Sequence, residues 1–486
     1  EDLAGRDSLM WPFGKRKSKQ SRKSRAVARL IRARFDAAVT NVENARHWAN
    51  ADGLSADAAA SASVRRTLRN RSRYEVANNS YAKGVVLTLA NDVVGTGPRL
   101  QVLSDDAETN RLVEQAFSQW ALAIGLAGKL RTMRMAKASD GEAFAMLTAN
   151  PALVSPVKVD LKPVEADRVA TPHAFMRMAN EVDGIAFDPF GNPVAYNVLK
   201  KHPGDLRWAP GLEYDRIPAD AMIHWFRADR PGQHRGVPEI TPAIPLFAQL
   251  RRYTLAVLGA AETAADFAAV LFTDSPAQGE AAAVEPMDVV ELEKRMATVL
   301  PDGWKLGQIK AEQPGTTYAE FKREILGEIA RSLLVPINVV TGDSSRHNYA
   351  SGRLDHQTYF KSIRVEQSHL NEVVCDRILS AWMGEAMLLS EFSFLRGLGD
   401  LPHQWFWDGT EHVDPAKEAT AQERRLKNNT TTLADEYARQ GKDWETQLRQ
   451  RAKEIQLTAE LGLTEFETAP RPARQTETAR SNSDVK

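Results

Sequence analysis

Between Ser61 and Val94 apolar positions recur at the spacing of an amphipathic helix, at Leu68, Tyr74, Tyr81, Val85 and Leu89. Gly95 and Gly97 then break the pattern into a short extended piece. The same spacing predicts helices over about 106–122 and 129–139. From Gly141 to Arg227 the period drops to two: EAFAMLT, VKVDLKPV, GIAFDPFGNPVAYNVLK and DAMIHWFRA alternate, and Asp188-Pro-Phe-Gly-Asn192 supplies hairpin turn chemistry. Helices followed by strands predict an α+β domain over 61–240.

The texture changes at Thr241. Thr241 as N-cap and Pro242 at the first helical position predict a helix to about Phe272, a rod of roughly 45 Å, with Pro245 as an alternative start. Its Ala-rich second half, LAVLGAAETAADFAAV, suits close approach of neighbouring helices. A mixed segment over 273–316 ends at Pro314 and Gly315. The box Thr317-Tyr-Ala-Glu320 opens a helix over 317–335 with Phe321, Ile325, Ile329 and Leu333 on one face, and Pro336 stops it. A polar stretch, Gly342-Asp-Ser-Ser-Arg-His347, follows within 336–348. After Asn348 a long helix runs to about Trp382, with Phe360, Ile363, Leu370 and Val374 on its buried face. A Trp-rich turn, Trp405–Gly409, precedes three short helices punctuated by Asp414-Pro415, by Thr432 with Asp435, and by Gly441 with Asp443; the last ends at Gly462. Residues 466–486 are polar and Pro-containing, a composition that predicts disorder. No internal repeat is present.

A chain of 486 residues suggests about three structural parts at roughly 150 residues per domain. Its 43% hydrophobic and 26% charged residues are globular in balance, and no run of about 18 apolar residues could span a bilayer as a helix. Residues before Met10 read as an upstream extension, and no apolar signal-peptide core follows them. Cys375, the only cysteine, cannot form an intrachain disulfide; this points to a reducing compartment and to a small core residue.

The net charge of zero conceals an asymmetry. The arm Lys15–Arg34 holds ten basic residues and no acid, which leaves 53 basic against 63 acidic residues elsewhere, a body negative by ten. Such a body does not grip nucleic acid, because nonspecific affinity comes from neutralised phosphates. The arm, through Lys15, Arg16, Lys17, Lys19, Arg22, Lys23 and Arg25, is the candidate polyanion-binding segment, against the plainer alternative of a solvated tail.

Catalytic constellations are weak. GTGPRL lacks the third glycine of a dinucleotide fingerprint, and no GxxxxGK[ST] is present. Asp343, Ser344 and His347 invite a hydrolase reading, but without GxSxG. His347, His356 and His369 do not make an HExxH face, and no cysteine cluster exists, so no metal or other cofactor is expected. A nuclease would need converging acids; Asp355 and Glu366, with Asp343 the nearest third, lie about 16 Å apart along one helix.

Five stretches in order, however, resemble the lambda-type bacteriophage portal proteins, over nearly the whole chain. They are NNSYAKGVVLTLANDVVGTGPRL (Asn78–Leu100), GIAFDPFGNPVAYNVLKKHPGD (Gly184–Asp205), IPADAMIHWFRADRPGQHRGVPEI (Ile217–Ile240), Asn348-Tyr-Ala-Ser351 and DPAKEATAQE through AELGL (Asp414–Leu463). The resemblance implies an α+β portal fold. Its parts would be a flexible arm (1–60), a wing (61–240), a first stem helix (241–272), a clip (273–316), a second stem helix (317–335), a tunnel loop (336–348), a long wing helix with its return (349–400), a helical crown (401–465) and a disordered tail (466–486).

It also implies a non-enzymatic homo-oligomeric ring, typically dodecameric, at the unique capsid vertex. This ring would be assembled in the host cytoplasm and carried in the virion, and would conduct double-stranded DNA during packaging and ejection. Its partners would be the terminase large subunit, major capsid and scaffold proteins, and head-completion or tail adaptors, with no membrane. The tunnel-loop residues Thr341, Gly342, Ser344, Ser345, Arg346, His347 and Asn348 would face DNA, offering polar contacts without base specificity. The residues before Met10 are not part of the family pattern, and the resemblance does not explain a Lys/Arg-dense arm of this length.

Overall fold

In the computed structural model, which describes residues 41–171, 180–205, 213–266, 270–273, 304–307, 317–395, 401–409 and 415–463, Asn79 divides the first predicted helix in two. Helix α1 spans Ala62–Asn78 and α2 spans Ser80–Val94. The Asn79 carboxamide oxygen caps α2 by accepting from the Tyr81 and Ala82 amides, and its Nδ2 donates to the Phe247 carbonyl at 3.1 Å. One side chain thus starts a helix and ties it to a segment 168 residues away.

The chain separates at Ala59 and Ala60 into two units. The described part of the first is turns and one helical turn, Ala56–Ala59. Every further element lies in the second. There α2 leads into β1 (Arg99–Val102), α3 (Ala107–Ala123, capped by Asp106) and α4 (Leu126–Asp140). The alternating region forms β2 (Glu142–Ala149), β3 (Val159–Val164), β4 (Glu181–Val182), β5 (Ile185–Phe187), β6 (Pro193–Leu199), β7 (Tyr214–Pro218) and β8 (Met222–Phe226). These make two antiparallel sheets, ordered β3-β2-β8 and β4-β5-β6-β7. The predicted hairpin turn joins β5 to β6, with the Asp188 carboxylate accepting from the Phe190 and Asn192 amides.

Residues Thr241–Ala243 form a single tight turn, and α5 begins at Ile244 and reaches Asp266, shorter than expected. The stretch Val270–Thr273 is instead strand β9, paired antiparallel with β10 (Trp304–Gly307). The sequence there, Val-Leu-Phe-Thr, has the branched and aromatic residues that favour extended backbone, and the Ala-rich run before it does not extend the helix that far. Apart from Thr273 and β10, the predicted clip lies outside the described residues, as does the tail over 466–486.

Helix α6 spans Thr317–Ser332. It ends in a double hydrogen bond, Val335 N to Ala330 O at 3.0 Å and Leu334 N to Arg331 O at 3.3 Å, with Leu334 left-handed at φ 58° where glycine is the usual residue. Its buried positions are Leu326, Ile329 and Ala330, so the face is rotated from the expected one and Phe321 is 52% exposed. The one-turn α7 (Ile337–Thr341) precedes α8 (Tyr349–Leu370), which passes through a wide turn at Asn371–Cys375 into α9 (Asp376–Ala386). Tyr359, Ile363, Leu370, Val374 and Cys375 are buried, with Phe360 half-buried. The Trp-rich segment begins as a strand, β11 (His403–Phe406), paired with β1 across some 300 residues of chain. Helices α10 (Pro415–Lys427), α11 (Leu433–Arg439) and α12 (Trp444–Glu460) follow, with the Thr432/Asp435 and Asp443 caps in place.

Beside a smaller apolar cluster around Phe144, Ile185, Tyr196 and Met222, a large core holds the second unit together, with Trp120, Trp225, Trp382, Phe117 and Phe247 fully buried. Ion pairs clamp the elements around it. Arg134 and Lys137 of α4 reach Glu239, just before α5, at 2.9 and 3.6 Å, and both also reach Glu366 of α8. This cluster fastens the start of α5 and the last turns of α8 to one helix. Among the described residues no helix is long and apolar enough to cross a membrane.

Candidate functional site

Pro336 cannot continue α6, and the chain folds at once into α7, anchored by the buried Asn338 and Val340. Thr341 donates its hydroxyl to the Ile337 carbonyl at 2.8 Å, and Gly342 closes the turn at φ 67°. Five exposed residues follow, Gly342 to Arg346. Within them Asp343 accepts from the Ser345 amide at 2.9 Å, and His347 N donates to Ser344 O at 3.0 Å. The Ser345 amide and then its hydroxyl, with Arg323 and Arg346 nearby, hold the Asp343 carboxyl below its usual range.

At the far end Asn348 opens α8 with a reciprocal cap: its side chain accepts from Ser351 N at 2.8 Å while Ser351 Oγ accepts from Asn348 N at 3.2 Å. The loop is therefore short and pinned at both ends, and Ser344, Ser345 and Arg346 project between the pins. Thr341 and Asn348 do structural work at the edges.

His347 differs from its neighbours. Its side chain is 12% exposed, and Nε2 lies 3.6 Å from Asp355 on the first turns of α8. Beneath the loop Asn338 Nδ2 meets His356 Nε2 at 3.0 Å and Ser344 Oγ at 3.5 Å. Asn338, Asp355 and His356 were not singled out as loop supports from the sequence. The only sign was one polar residue inside the apolar run Pro336-Ile-Asn-Val-Val340.

The hydrolase trio does not come together. Asp343 is engaged by Ser345, Ser344 by Asn338, and His347 by Asp355, so no carboxylate orients a histidine toward a serine hydroxyl. The nuclease acids are also divided, since Asp355 faces His347 while Glu366 faces Lys137 and Arg134. Among the described residues no group of three or more His, Cys, Asp or Glu could hold a metal ion. The arm residues Lys15, Arg16, Lys17, Lys19, Arg22, Lys23 and Arg25 lie outside the described residues.

Residues 18–367 match the sequence family described as phage portal protein, lambda family. A probable portal protein of Halomonas phage phiHAP-1 is 25% identical over 433 residues, covering 82% of this chain and 81% of that protein. Among solved structures, the neck of an empty GTA particle is 14% identical with a TM-score of 0.46, covering 75% of this chain and 91% of that one. An HK97-family phage portal protein from Corynebacterium diphtheriae is 13% identical with a TM-score of 0.28, covering 70% and 96%.

Proposed function

This chain belongs to the lambda family of phage portal proteins, and from that membership we propose that its loop over 336–348 is the element that meets double-stranded DNA in the channel of the assembled connector. The protein is a portal connector, a structural component of the virion that assembles with capsid and tail parts. In the finer picture proposed here, subunits close into a ring, typically a dodecamer, in the host cytoplasm. The terminase large subunit docks on it for packaging, and head-completion or tail proteins take its place later. The chain performs no turnover of its own, and the work of packaging comes from the terminase.

The observation that carries the loop assignment is the exposed Ser344-Ser345-Arg346 tip held between the α7 turn and the capped start of α8. A short tip with hydroxyls and one cation suits fleeting contact with phosphates, which bear no sequence information. The negative body suits passage, since a strongly basic conduit would hold the DNA. Photo-crosslinking tests the assignment. Cys375 is buried, so Ser345→Cys offers a selective attachment point for a crosslinker in particles stalled during packaging. Adducts to DNA are expected from Ser345→Cys and not from an exposed control such as Thr446→Cys on α12. Absence of adducts from filled particles would overturn the assignment.

A further inference from the structure

The outward faces of α6 and α8 carry opposite charges that have no use within one subunit. On α8, Arg353, Gln357, Lys361 and Arg364 recur every three or four residues, all exposed, along about 16 Å of helix. The acids of α8 are engaged elsewhere: Asp355 by His347, and Glu366 by Lys137 and Arg134. On α6, Glu320, Glu324 and Glu328 recur every fourth residue, all exposed, along about 12 Å, and the exposed Arg331 follows only in the last turn. Among the described residues none of the six charged groups of the two rows makes an ion pair or hydrogen bond.

Glu320, Glu324 and Glu328 on α6, and Lys361 with Arg364 on α8, set like charges three or four apart, which repel by a few tenths of a kcal/mol per pair. An ordinary solvated face mixes its signs. Helix α12 does so, with Arg449 beside Glu445 and Arg451 beside Glu454. Large apolar side chains also lie exposed beside both rows: Phe321, at 52%, next to the acids, and Leu354 and Val365, at 65% and 66%, next to the bases. A track for phosphates has no need of exposed Leu and Val. A protein contact does, with an aromatic anchor and a rim of complementary charge.

We propose that the acidic face of α6 in one subunit packs against the basic face of α8 in the next, with Phe321 meeting Leu354 and Val365. The occupant is a second copy of this chain. Two different faces pairing in this way form a heterologous contact, the kind that generates a closed ring. The contact rests on the ring assembly proposed above and specifies which surfaces build it.

Two charge-reversed variants test it by native mass spectrometry of the full chain. One carries Glu320→Lys, Glu324→Lys and Glu328→Lys; the other carries Arg353→Glu, Lys361→Glu and Arg364→Glu. Each alone juxtaposes like charges at every contact and is expected to lose the ring that wild type forms. Mixed in equal amounts they are expected to assemble, since alternating subunits restore opposite charges at every junction. The proposal is overturned if either variant alone closes like wild type. It is equally overturned if both are folded by far-UV circular dichroism and remain apart when mixed. Normal rings of the α8 variant with weakened DNA binding would instead assign that face to a polyanion. Should a triple variant misfold, the exchange of the central residues, Glu324→Lys with Lys361→Glu, is read in the same way. Failure of wild type itself to form rings is a separate result and counts against the ring assembly, not against the choice of faces.

Discussion

Glu142 and Arg235 meet side on at the start of β2, with Oε1 accepting from Nη2 at 2.7 Å and Oε2 from Nε at 2.8 Å, both side chains fully buried. The Gly236 amide donates to the same carboxylate at 3.0 Å, and His224 Nε2 lies at 3.2 Å. Burial alone would raise the Glu142 pKa; Arg235 and His224 outweigh it and hold the carboxyl well below its usual range. The pair locks the sheet β3-β2-β8 to the segment that leads into α5.

Removing Arg235 takes the bidentate guanidinium from a buried carboxylate and leaves it only the Gly236 amide, His224 and Arg69, whose Nη1 lies at 3.3 Å. Arg235→Met is expected to cost about 3–5 kcal/mol in denaturant unfolding, and Glu142→Leu with Arg235→Met to recover much of that loss. Equal instability of the single and double variants would show that the pairing is not the cause. Because the folded carboxyl is ionised to lower pH than in the unfolded chain, its contribution is full above about pH 4.5 and fades as acid protonates the folded form. Wild type should lose this part of its stability in acid, and the double variant should not.

Glu114 behaves in the opposite way. Burial, with Asp443 and Glu445 adding to it against a hydrogen bond from Val102 N, pushes its pKa up to about 7. The folded form therefore keeps its proton where the unfolded chain has lost it, and stability falls as pH rises from about 4.5 to about 7. Allowing for partial solvent screening, the change is on the order of 1–2 kcal/mol. Glu114→Gln is expected to flatten that slope in melts between pH 5 and 8 and to be the more stable protein at the upper end. An unchanged slope would contradict the assignment.

Leu334 sits left-handed at φ 58°, half-exposed, at the close of α6 and two residues before the loop. A side chain in that conformation costs roughly 1–2 kcal/mol that glycine avoids. Leu334→Gly is expected to raise the melting temperature by a few degrees or leave it level, unlike the usual effect of glycine inside a helix. A clear drop would mean that Leu334 packing outweighs its backbone strain.

Within the loop Arg346 and His347 should separate. Arg346 is exposed and free of ion pairs among the described residues, whereas His347 is turned toward Asp355. Arg346→Ala is expected to leave subunit stability within about 0.5 kcal/mol and to alter DNA translocation in a packaging assay. His347→Ala is expected to lower stability by about 1 kcal/mol through the loss of its inward contact. The reverse assignment of effects would place His347, not Arg346, at the DNA.

Periodicity made much of this fold legible. The caps at Asp106, Thr432 and Asp443 appear where Asp and Thr precede apolar repeats, and the Asp188 turn appears where Pro, Gly and Asn cluster. What stayed hidden depended on distant partners. Asn79 breaks a helix whose apolar spacing runs straight through it, because its amide is needed by Phe247. The strand at His403–Phe406 exists only through β1, some 300 residues earlier. Phe321 follows the helical period yet remains half-exposed, since the face of α6 turned to the core is rotated to Leu326, Ile329 and Ala330 and a period cannot fix that rotation. In the loop, residue types identified the polar tip but not its supports, because Asp355 and His356 gain meaning only when α8 folds back beside α7.

Cryo-electron microscopy of the purified full chain, without other phage proteins, decides whether the loop over 336–348 lines a channel. A closed ring around an open channel whose wall includes residues 342–346 is expected. A ring with those residues on its outer surface, or a particle with no channel at all, would contradict it.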